Sequence, residues 1–156
     1  MNILKIKSPF IGPTSCGKTT FIKNVISHAH QRYSIEVGKF FYFYNVHQGL
    51  FDEIEQLDVN IQFMPGMPTV NWVQENIEPG DNSTLIFDDV ATFLSKATVQ
   101  IFTVLSHHYQ TNVILTVHNI FEKNKGFRDI SLNSKYILLF KVTMLILYRD
   151  RLKGGP

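Results

Sequence analysis

The sequence predicts an α/β domain in which a mainly parallel sheet is covered by helices on both faces. Two observations lead to this prediction. Short apolar segments alternate along the chain with segments whose apolar residues recur every three to four positions, which is the period of an amphipathic helix. The expected strands also consist of continuous apolar runs, which is typical of parallel strands that are buried on both faces.

The expected elements follow one another without a long linker. A first strand is expected within residues 2–7 or at residues 10–11, because Pro9 has no backbone N–H to donate and should interrupt the strand. An amphipathic helix over residues 18–32 follows. The other expected strands are residues 39–46, 60–64, 84–87, 112–117 and 136–140, and the other expected helices are residues 50–57, 70–77 and 95–108.

Length and composition limit what this chain can be. The 156 residues predict a single domain spanning residues 1–156. Lysine and arginine total 15, and aspartate and glutamate total 13, so the net charge is +2. This balance excludes a polybasic protein whose partner is evident from bulk charge. The single cysteine, Cys16, excludes an internal disulfide. No signal peptide or spanning segment is expected, which predicts an intracellular, non-secreted protein.

Residues 12–19 match the phosphate-loop pattern G-x-x-x-x-G-K-[ST]. Gly12 and Gly17 allow a tight turn that brings backbone N–H groups against phosphate oxygens. The expected helix begins at Lys18, so its free N–H groups and its dipole face the same anion. The predicted nucleotide-binding residues are Gly12, Pro13, Thr14, Ser15, Cys16, Gly17, Lys18, Thr19 and Thr20.

Two side chains of this loop have specific predicted roles. Lys18 would bridge the β- and γ-phosphates, and the hydroxyl of Thr19 would bind Mg²⁺. The alternative is a glycine-rich turn followed by a helix-capping threonine. A Lys-Thr-Thr sequence at a helix start has no packing rationale, which favours the phosphate loop.

A second motif is the apolar strand of residues 84–87, which ends in Asp88 and Asp89. The carboxyl edge of a parallel sheet is where ligands bind. Asp88 is predicted to hold Mg²⁺ through water, and Asp89 to polarise the attacking water as general base. The alternative is a solvated turn that carries two acids.

A third motif follows the strand predicted at residues 112–117, which ends in His118 and Asn119. Asn119 could hydrogen-bond a phosphate or the attacking water. His118 could do the same or could cap a turn. Arg128 lies in a polar stretch, residues 122–129, that is expected to be a loop. It is either a solvated arginine or a finger that stabilises transition-state charge on a neighbouring subunit's nucleotide.

Two weaker signals have structural explanations. His107 and His108 look like a metal pair, but adjacent helical residues point about 100° apart and do not easily share one ion. They are interpreted as a helix C-terminus, where imidazolium suits the dipole. The aromatic run at residues 40–44 could stack bases, but a buried strand explains it better.

Four segments occur in a characteristic order: GPTSCGKTTF, LIFDDV, SHHYQTNVILTVHNIF and FRDISLNSKYILLFK. In this order they resemble the genome-packaging ATPases of the FtsK–HerA class, a branch of the P-loop NTPase superfamily. The resemblance is strongest to ATPases of Polinton/Maverick-type elements, adintovirus-like viruses and related double-stranded DNA viruses, including the poxvirus type. It covers residues 9–141 and implies a P-loop NTPase three-layer sandwich. Residues 142–156 are an atypical tail, which suggests a minimal or truncated version.

The resemblance also implies a function. It implies an ATP-driven, Mg²⁺-dependent motor that assembles as a homo-oligomeric ring and pumps double-stranded DNA into a capsid, with a capsid or portal protein as partner. A ring can collect modest charge from several subunits, so a net charge of +2 does not exclude DNA. The implied location is the cytoplasm or nucleus of a host cell.

The family's functional residues fall on matching positions of this sequence. Lys18 and Thr19 correspond to the phosphate and Mg²⁺ residues, Asp88 and Asp89 to the acidic pair, Asn119 to the sensor turn and Arg128 to the arginine finger. The sensor position that usually holds glutamine carries His118.

Two other functions remain open at this stage. One is a degenerate relative that binds nucleotide without hydrolysing it. The other is a P-loop kinase, although the sequence lacks the arginine-rich lid that a kinase is expected to have. A GTPase is disfavoured, because the nearest base-recognition sequence, residues 124–127, lacks the required acid.

Overall fold

The computed structural model describes residues 7–29, 38–90, 95–118 and 125–140. Within these ranges six strands form one sheet, and every neighbouring pair is parallel. The strands are β1 (Lys7–Ile11), β2 (Phe40–Tyr44), β3 (Ile61–Pro65), β4 (Thr84–Asp88), β5 (Asn112–Val117) and β6 (Leu138–Leu139). Their order across the sheet is β3-β2-β4-β5-β1-β6. The predicted α/β class and parallel sheet are confirmed.

Helices connect these strands. They are α1 (Lys18–Ser27), α2 (Gly49–Glu55), α3 (Val70–Asn76), α4, which has three consecutive parts (Lys96–Gln100, Ile101–Leu105 and Ser106–His108), and α5 (Lys125–Leu132). The middle part of α4 is a π-helical turn, which the sequence does not predict. The hydroxyls of Thr103 and Ser106 donate to the carbonyls of Val99 and Phe102, a back-bonding that distorts regular helices.

Side chains alternate between the two faces of the sheet along each strand, and helices pack on both faces. One face packs under α1 and α2, where Phe10, Tyr42 and Ile86 belong to one apolar cluster. The other face packs under α3, α4 and α5, where Phe43 and Phe87 belong to a second cluster. The arrangement is compatible with a three-layer α/β fold. The aromatic run of β2 is a buried strand, as predicted.

The expectation for the first strand is wrong. Pro9 lies inside β1, which pairs with β5 over all five of its residues, from Lys7 opposite Val113 to Ile11 opposite Val117. The loop that follows is therefore held by a full-length strand.

The direction in which the backbone nitrogen of Pro9 points explains why β1 tolerates this residue. The carbonyls of Lys7 and Ile11 accept hydrogen bonds from the N–H groups of Lys135 (2.9 Å) and Phe140 (2.7 Å), so alternate residues of β1 face the β6 side. Pro9 lies between them in this alternation and faces the same side. The register with β6 begins only at the residue after Pro9, so the missing N–H falls at a point of β1 where the ladder with β6 has not yet begun and removes no ladder hydrogen bond.

Three other expectations change. The last expected strand, residues 136–140, is reduced to Leu138–Leu139. The stretch expected to be a loop around Arg128 is helix α5. The first helix is described as Lys18–Ser27, and residues 30–32 of its predicted range lie outside the described residues. Asn119 and residues 142–156 also lie outside them. Among the described helices, none is long and apolar enough to span a bilayer.

Candidate functional site

A cleft of about 370 Å³ opens at the carboxyl ends of the central strands. Its position follows from the strand order, because β5 lies between β1, which leads into the glycine-rich loop, and β4, which carries the acids. The cleft is lined by Thr14, Ser15, Gly17, Lys18, Thr19, Thr20, Gln48, Leu50, Asp88, Asp89, Thr116 and His118. The structure therefore brings most of the predicted loop residues together with both predicted acids.

The loop delivers free backbone donors to this cleft. Gly17 is the N-cap of α1 and has φ +93°, a left-handed conformation that favours glycine. Because the N-cap residue is a glycine, it makes no side-chain capping bond to the N–H groups of the first turn, and that turn holds no acidic residue. The alternative of a helix-capping threonine is therefore wrong. The uncapped N–H groups and the helix dipole favour an anion at this position.

Gly12 has a different role from the tight turn that the sequence predicts. A Cβ at this position would lie 2.7 Å from Cβ of Phe140 and 2.8 Å from Sγ of Cys16. Gly12 is needed because Phe140 approaches the start of the loop too closely for any side chain.

Lys18 lies across the loop rather than in solvent. Its Nζ donates to the carbonyls of Gly12 (2.6 Å) and Pro13 (2.7 Å) and lies 3.7 Å from Sγ of Cys16. The side chain is 6% exposed. The loop's own carbonyls thus hold the ammonium group at the wall of the cleft, beside the uncapped helix start.

Asp88 is the centre of a hydroxyl cluster. Its Oδ2 accepts from Oγ1 of Thr19 at 2.8 Å and from the phenol of Tyr42 at 2.6 Å, and its Oδ1 accepts from Oγ1 of Thr116 at 2.9 Å. The residue is 3% exposed. Each of the three donors comes from a different element, so the orientation of the carboxylate is fixed by α1, β2 and β5 together.

Tyr42 is a permanent donor in this cluster. Burial raises the pKa of its phenol far above the usual value, and the adjacent charge of Asp88 and the hydrogen bond to it raise the pKa further. The side chain is fully buried. Tyr42 therefore keeps its proton, and its hydrogen bond to Asp88, over the whole physiological range.

Asp89 is held by β5 as well. Its backbone N–H donates to Oγ1 of Thr116 at 2.8 Å, and its carboxylate makes a short contact with Nε2 of His118. Its φ of +57° is unusual for a residue other than glycine and turns the side chain out of the strand path. The other ring nitrogen of His118, Nδ1, is buried and has no hydrogen-bond partner among the described residues. Thr116 and His118 thus connect the tip of β5 to both acids.

The sequence does not identify Tyr42, Thr116 and Gln48 as site residues. Thr116 carries a detectable signal, since it is a polar residue in an otherwise apolar strand. Tyr42 is hidden in an aromatic run, and its role depends on β2 lying next to β4. Gln48 follows β2 and lines the cleft.

Arg128 is not brought into the cleft. It is an exposed residue of α5, the helix that packs through Ile130 on the second apolar cluster. Asn119 lies outside the described residues, so its predicted sensor role stays a prediction. His107 and His108 are exposed in the last turn of α4, as the interpretation of a helix C-terminus requires.

The donor set of the cleft suits a hard cation. A hydroxyl from Thr19 and a carboxylate from Asp88 are oxygen ligands of the kind that Mg²⁺ prefers, together with waters and phosphate oxygens. Among the described residues, no three His, Cys, Asp or Glu side chains converge to form a complete metal cage. A cation in this cleft would therefore need ligands from water and from a bound anion.

Comparison with known proteins does not assign this chain to a family. The sequence matches no protein-family model and no curated protein. What the cleft can do is therefore inferred from its own residues.

Proposed function

We propose that this chain binds ATP with Mg²⁺ and hydrolyses it, and that it is the motor subunit of a machine that packages double-stranded DNA into a viral capsid. One observation carries the enzymatic part of the proposal. The hydrogen bond from Thr19 to Asp88 joins the glycine-rich loop to the acidic motif, although the two residues are 69 positions apart. Each motif alone is common, whereas their convergence at an uncapped helix N-terminus is what a phosphate and its cation require.

The triphosphate would lie across the start of α1. The uncapped N–H groups of the first turn donate to its oxygens, and Gly17 gives the backbone its left-handed turn there. Lys18 is held 2.6 Å from the carbonyl of Gly12, and a small rotation of its terminal bonds would give phosphate oxygens a share of its three donors. These contacts bind and orient the phosphates without any covalent step.

Thr19 and Asp88 would hold the cation. When bound, Mg²⁺ neutralises charge on the β- and γ-phosphate oxygens. Tyr42 and Thr116 keep the Asp88 carboxylate in one orientation. The hydrogen bond between Thr19 and Asp88 marks the place where the two ligands come together, and it would give way to metal coordination.

Asp89 would act as the general base. It takes a proton from the water whose oxygen attacks the γ-phosphorus, while the bond from that phosphorus to the β–γ bridging oxygen breaks. The products are ADP and inorganic phosphate. His118 contacts the Asp89 carboxylate and so sets its orientation toward the cleft.

The packaging role rests on the resemblance described above. In a ring of copies, Arg128 is available to a neighbouring subunit, because it is exposed on α5. Asn119 belongs to the same proposal as the sensor of the terminal phosphate. Double-stranded DNA and a capsid or portal protein would be the partners.

A second candidate function is nucleotide binding without hydrolysis. The contact between His118 and Asp89 favours it, because a carboxylate already engaged by an imidazole is a poorer acceptor for the proton of water. In this case the chain would bind ATP with Mg²⁺ and would not turn it over.

A DNA-dependent ATPase assay tests the proposal. Wild-type protein should hydrolyse ATP, faster with double-stranded DNA, and Lys18→Ala should abolish hydrolysis. The matched control is Lys96→Ala, an exposed lysine at the start of α4, which should leave the rate unchanged. Binding of ATP with Mg²⁺ but no hydrolysis would favour the second candidate. Absence of any ATP binding would reject both.

A further inference from the structure

An exposed aromatic ring lies beside the glycine-rich loop. Phe21, in the first turns of α1, is 38% exposed, whereas Ile22 and Ile26 of the same helix are fully buried. Its ring meets Phe140 edge to face, with centroids 5.8 Å apart, and meets Phe10 in the same way at 5.4 Å. Packing against these two rings fixes the orientation of Phe21 while part of its surface stays open to solvent.

Phe140 is tied to the start of the loop. Its N–H donates to the carbonyl of Ile11 at 2.7 Å, and its Cβ lies so close to Gly12 that no side chain fits there. Phe21 and Phe140 therefore form a rigid aromatic wall directly beside the loop. This pair is called the aromatic wall below.

The aromatic wall and the acids lie on opposite flanks of α1. Thr19 reaches Asp88 at the end of β4, whereas Phe21 packs on Phe140, which follows β6. Because the strand order is β4-β5-β1-β6, β4 and β6 lie on opposite sides of β1, the strand that leads into the loop. A ligand that spans the start of α1 therefore has one end near the acids and the other near the aromatic wall.

We propose that the exposed surface of Phe21, supported by Phe140, stacks against the base of a bound nucleoside triphosphate. The proposal rests on the function proposed above, in which the cation and the terminal phosphates occupy the Thr19 and Asp88 flank. The nucleoside must then leave the loop on the other flank, where Phe21 is a partly exposed aromatic side chain. Stacking on an aromatic ring suits any base, because every base has a π-face.

A second exposed ring provides an internal alternative. The side chain of His47, in the connection from β2 to α2, is 54% exposed and packs against Tyr44 and Phe51. It follows β2, which is the neighbour of β4, and it precedes Gln48, which lines the cleft. If the base were bound on that flank, His47 would be the ring that contacts it.

The test compares binding of two ligands, ATP and inorganic tripolyphosphate, each with Mg²⁺, by calorimetry on the full chain. Phe21→Ala should raise the Kd for ATP about 5- to 150-fold, as expected for loss of one stacked base. The Kd for tripolyphosphate, which has no base, should not change. Phe21→Leu keeps apolar packing on Phe10 and Phe140 and should also weaken ATP alone, whereas Phe21→Tyr should keep wild-type affinity. His47→Ala should change neither Kd.

The outcomes separate this inference from the proposed function. Unchanged ATP binding in Phe21→Ala and Phe21→Leu overturns the inference, and so does an equal loss of ATP and tripolyphosphate. A loss of ATP affinity confined to His47→Ala overturns it as well and places the base on the other flank. If wild-type protein binds neither ligand, the proposed function itself fails.

Discussion

The phenol of Tyr42 donates a hydrogen bond of 2.6 Å to Asp88 in the buried wall of the cleft. The two residues are far apart in the sequence but lie on neighbouring strands. In the register of these strands Tyr42 is opposite Ile86, and Tyr44 is opposite Asp88. The bond fixes an acid that the proposed function assigns to the cation. It also places an ionisable phenol where burial opposes its ionisation, which makes stability depend on pH in a defined direction.

We expect the stabilising effect of Tyr42 to decline in alkali. Because its pKa is raised in the folded protein, the folded state keeps the proton at a pH where the unfolded chain, with a pKa of about 10, releases it. The contribution is complete below pH ~10 and falls by about 1.4 kcal/mol by pH 11. The free energy of unfolding of wild type relative to Tyr42→Phe should shrink by that amount between pH 9 and pH 11.

Urea unfolding at pH 7, 9 and 11 measures this difference. At pH 7 we expect Tyr42→Phe to be less stable by about 1.5–3 kcal/mol, the range for a hydrogen bond to a charged group. A difference between the two proteins that stays constant up to pH 11 would show that Tyr42 ionises equally in both states, contrary to the expected burial effect.

Thr116 should be the residue that couples the two acids. Its hydroxyl donates to Asp88 and accepts from the N–H of Asp89, so Thr116→Val leaves one buried acceptor and one donor without partners. We expect a loss of about 1–3 kcal/mol in unfolding free energy. If the chain hydrolyses ATP, the Mg²⁺ concentration for half-maximal rate should also rise.

Thr116→Ser is the matched control, since it restores the hydroxyl and lacks only a methyl group. It should recover the Mg²⁺ dependence of wild type even if some stability is lost with the methyl. Equal Mg²⁺ dependence in the valine and serine variants would mean that the hydroxyl does not position the acids.

Asp89→Asn separates binding from chemistry. Asparagine tolerates the left-handed φ of +57° that Asp89 adopts, so the backbone should be unaffected. As general base, Asp89 should contribute about 10²- to 10⁴-fold to the rate, and its loss should lower kcat while leaving the Kd for ATP near that of wild type. Single-turnover hydrolysis and calorimetry measure the two quantities.

Glu75→Gln provides the control for removal of a negative charge. Glu75 is an exposed acid of α3 outside the cleft, so the kcat of the Glu75→Gln variant should equal that of wild type. If Asp89→Asn retains full kcat, Asp89 is not the base, and another group must accept the proton.

Gly12 and Gly49 should respond oppositely to the same substitution. At Gly12 an added Cβ meets Phe140 at 2.7 Å and Cys16 at 2.8 Å, whereas at Gly49, in α2, it meets nothing within 4 Å. Gly12→Ala should lower stability by about 1–3 kcal/mol through overpacking. Gly49→Ala should raise it by about 0.4–1 kcal/mol by reducing the entropy of the unfolded chain. Thermal unfolding distinguishes the two, and a neutral Gly12→Ala would contradict the close packing of Phe140.

The local parts of the site could be predicted from the sequence. Lys18 and Thr19 follow a fixed spacing from two glycines, and Asp88 and Asp89 end an apolar strand, so each motif is recognisable within a few residues. Their meeting follows from a parallel sheet, in which the carboxyl ends of all strands lie at one edge. The elements predicted between residues 18 and 117 occur in the predicted order for the same reason, because they depend on local patterns.

The contributions of Tyr42 and Thr116 could not be predicted, because they depend on which strands are neighbours. An aromatic run does not reveal that one phenol will face an acid on the next strand, and strand order is decided by packing across the whole sheet. The helix around Arg128 was missed because its sequence is mostly polar and only a few residues, such as Phe127 and Ile130, face the core. The error at Pro9 has the same origin, since the sequence does not tell which side of β1 is unpaired.

Ser8 and Pro9, which are neighbours in β1, should differ in how well they tolerate proline. By the alternation along β1, the N–H of Ser8 faces β5 and the nitrogen of Pro9 faces the side where pairing with β6 has not begun. Ser8→Pro should therefore remove a hydrogen bond from the centre of the sheet and cost about 3 kcal/mol or more. Pro9→Ala should cost no more than about 1 kcal/mol, the entropy gained by the unfolded chain. Urea unfolding of the two variants measures both values, and equal costs would mean that both positions of β1 are paired alike, which the observed register does not allow.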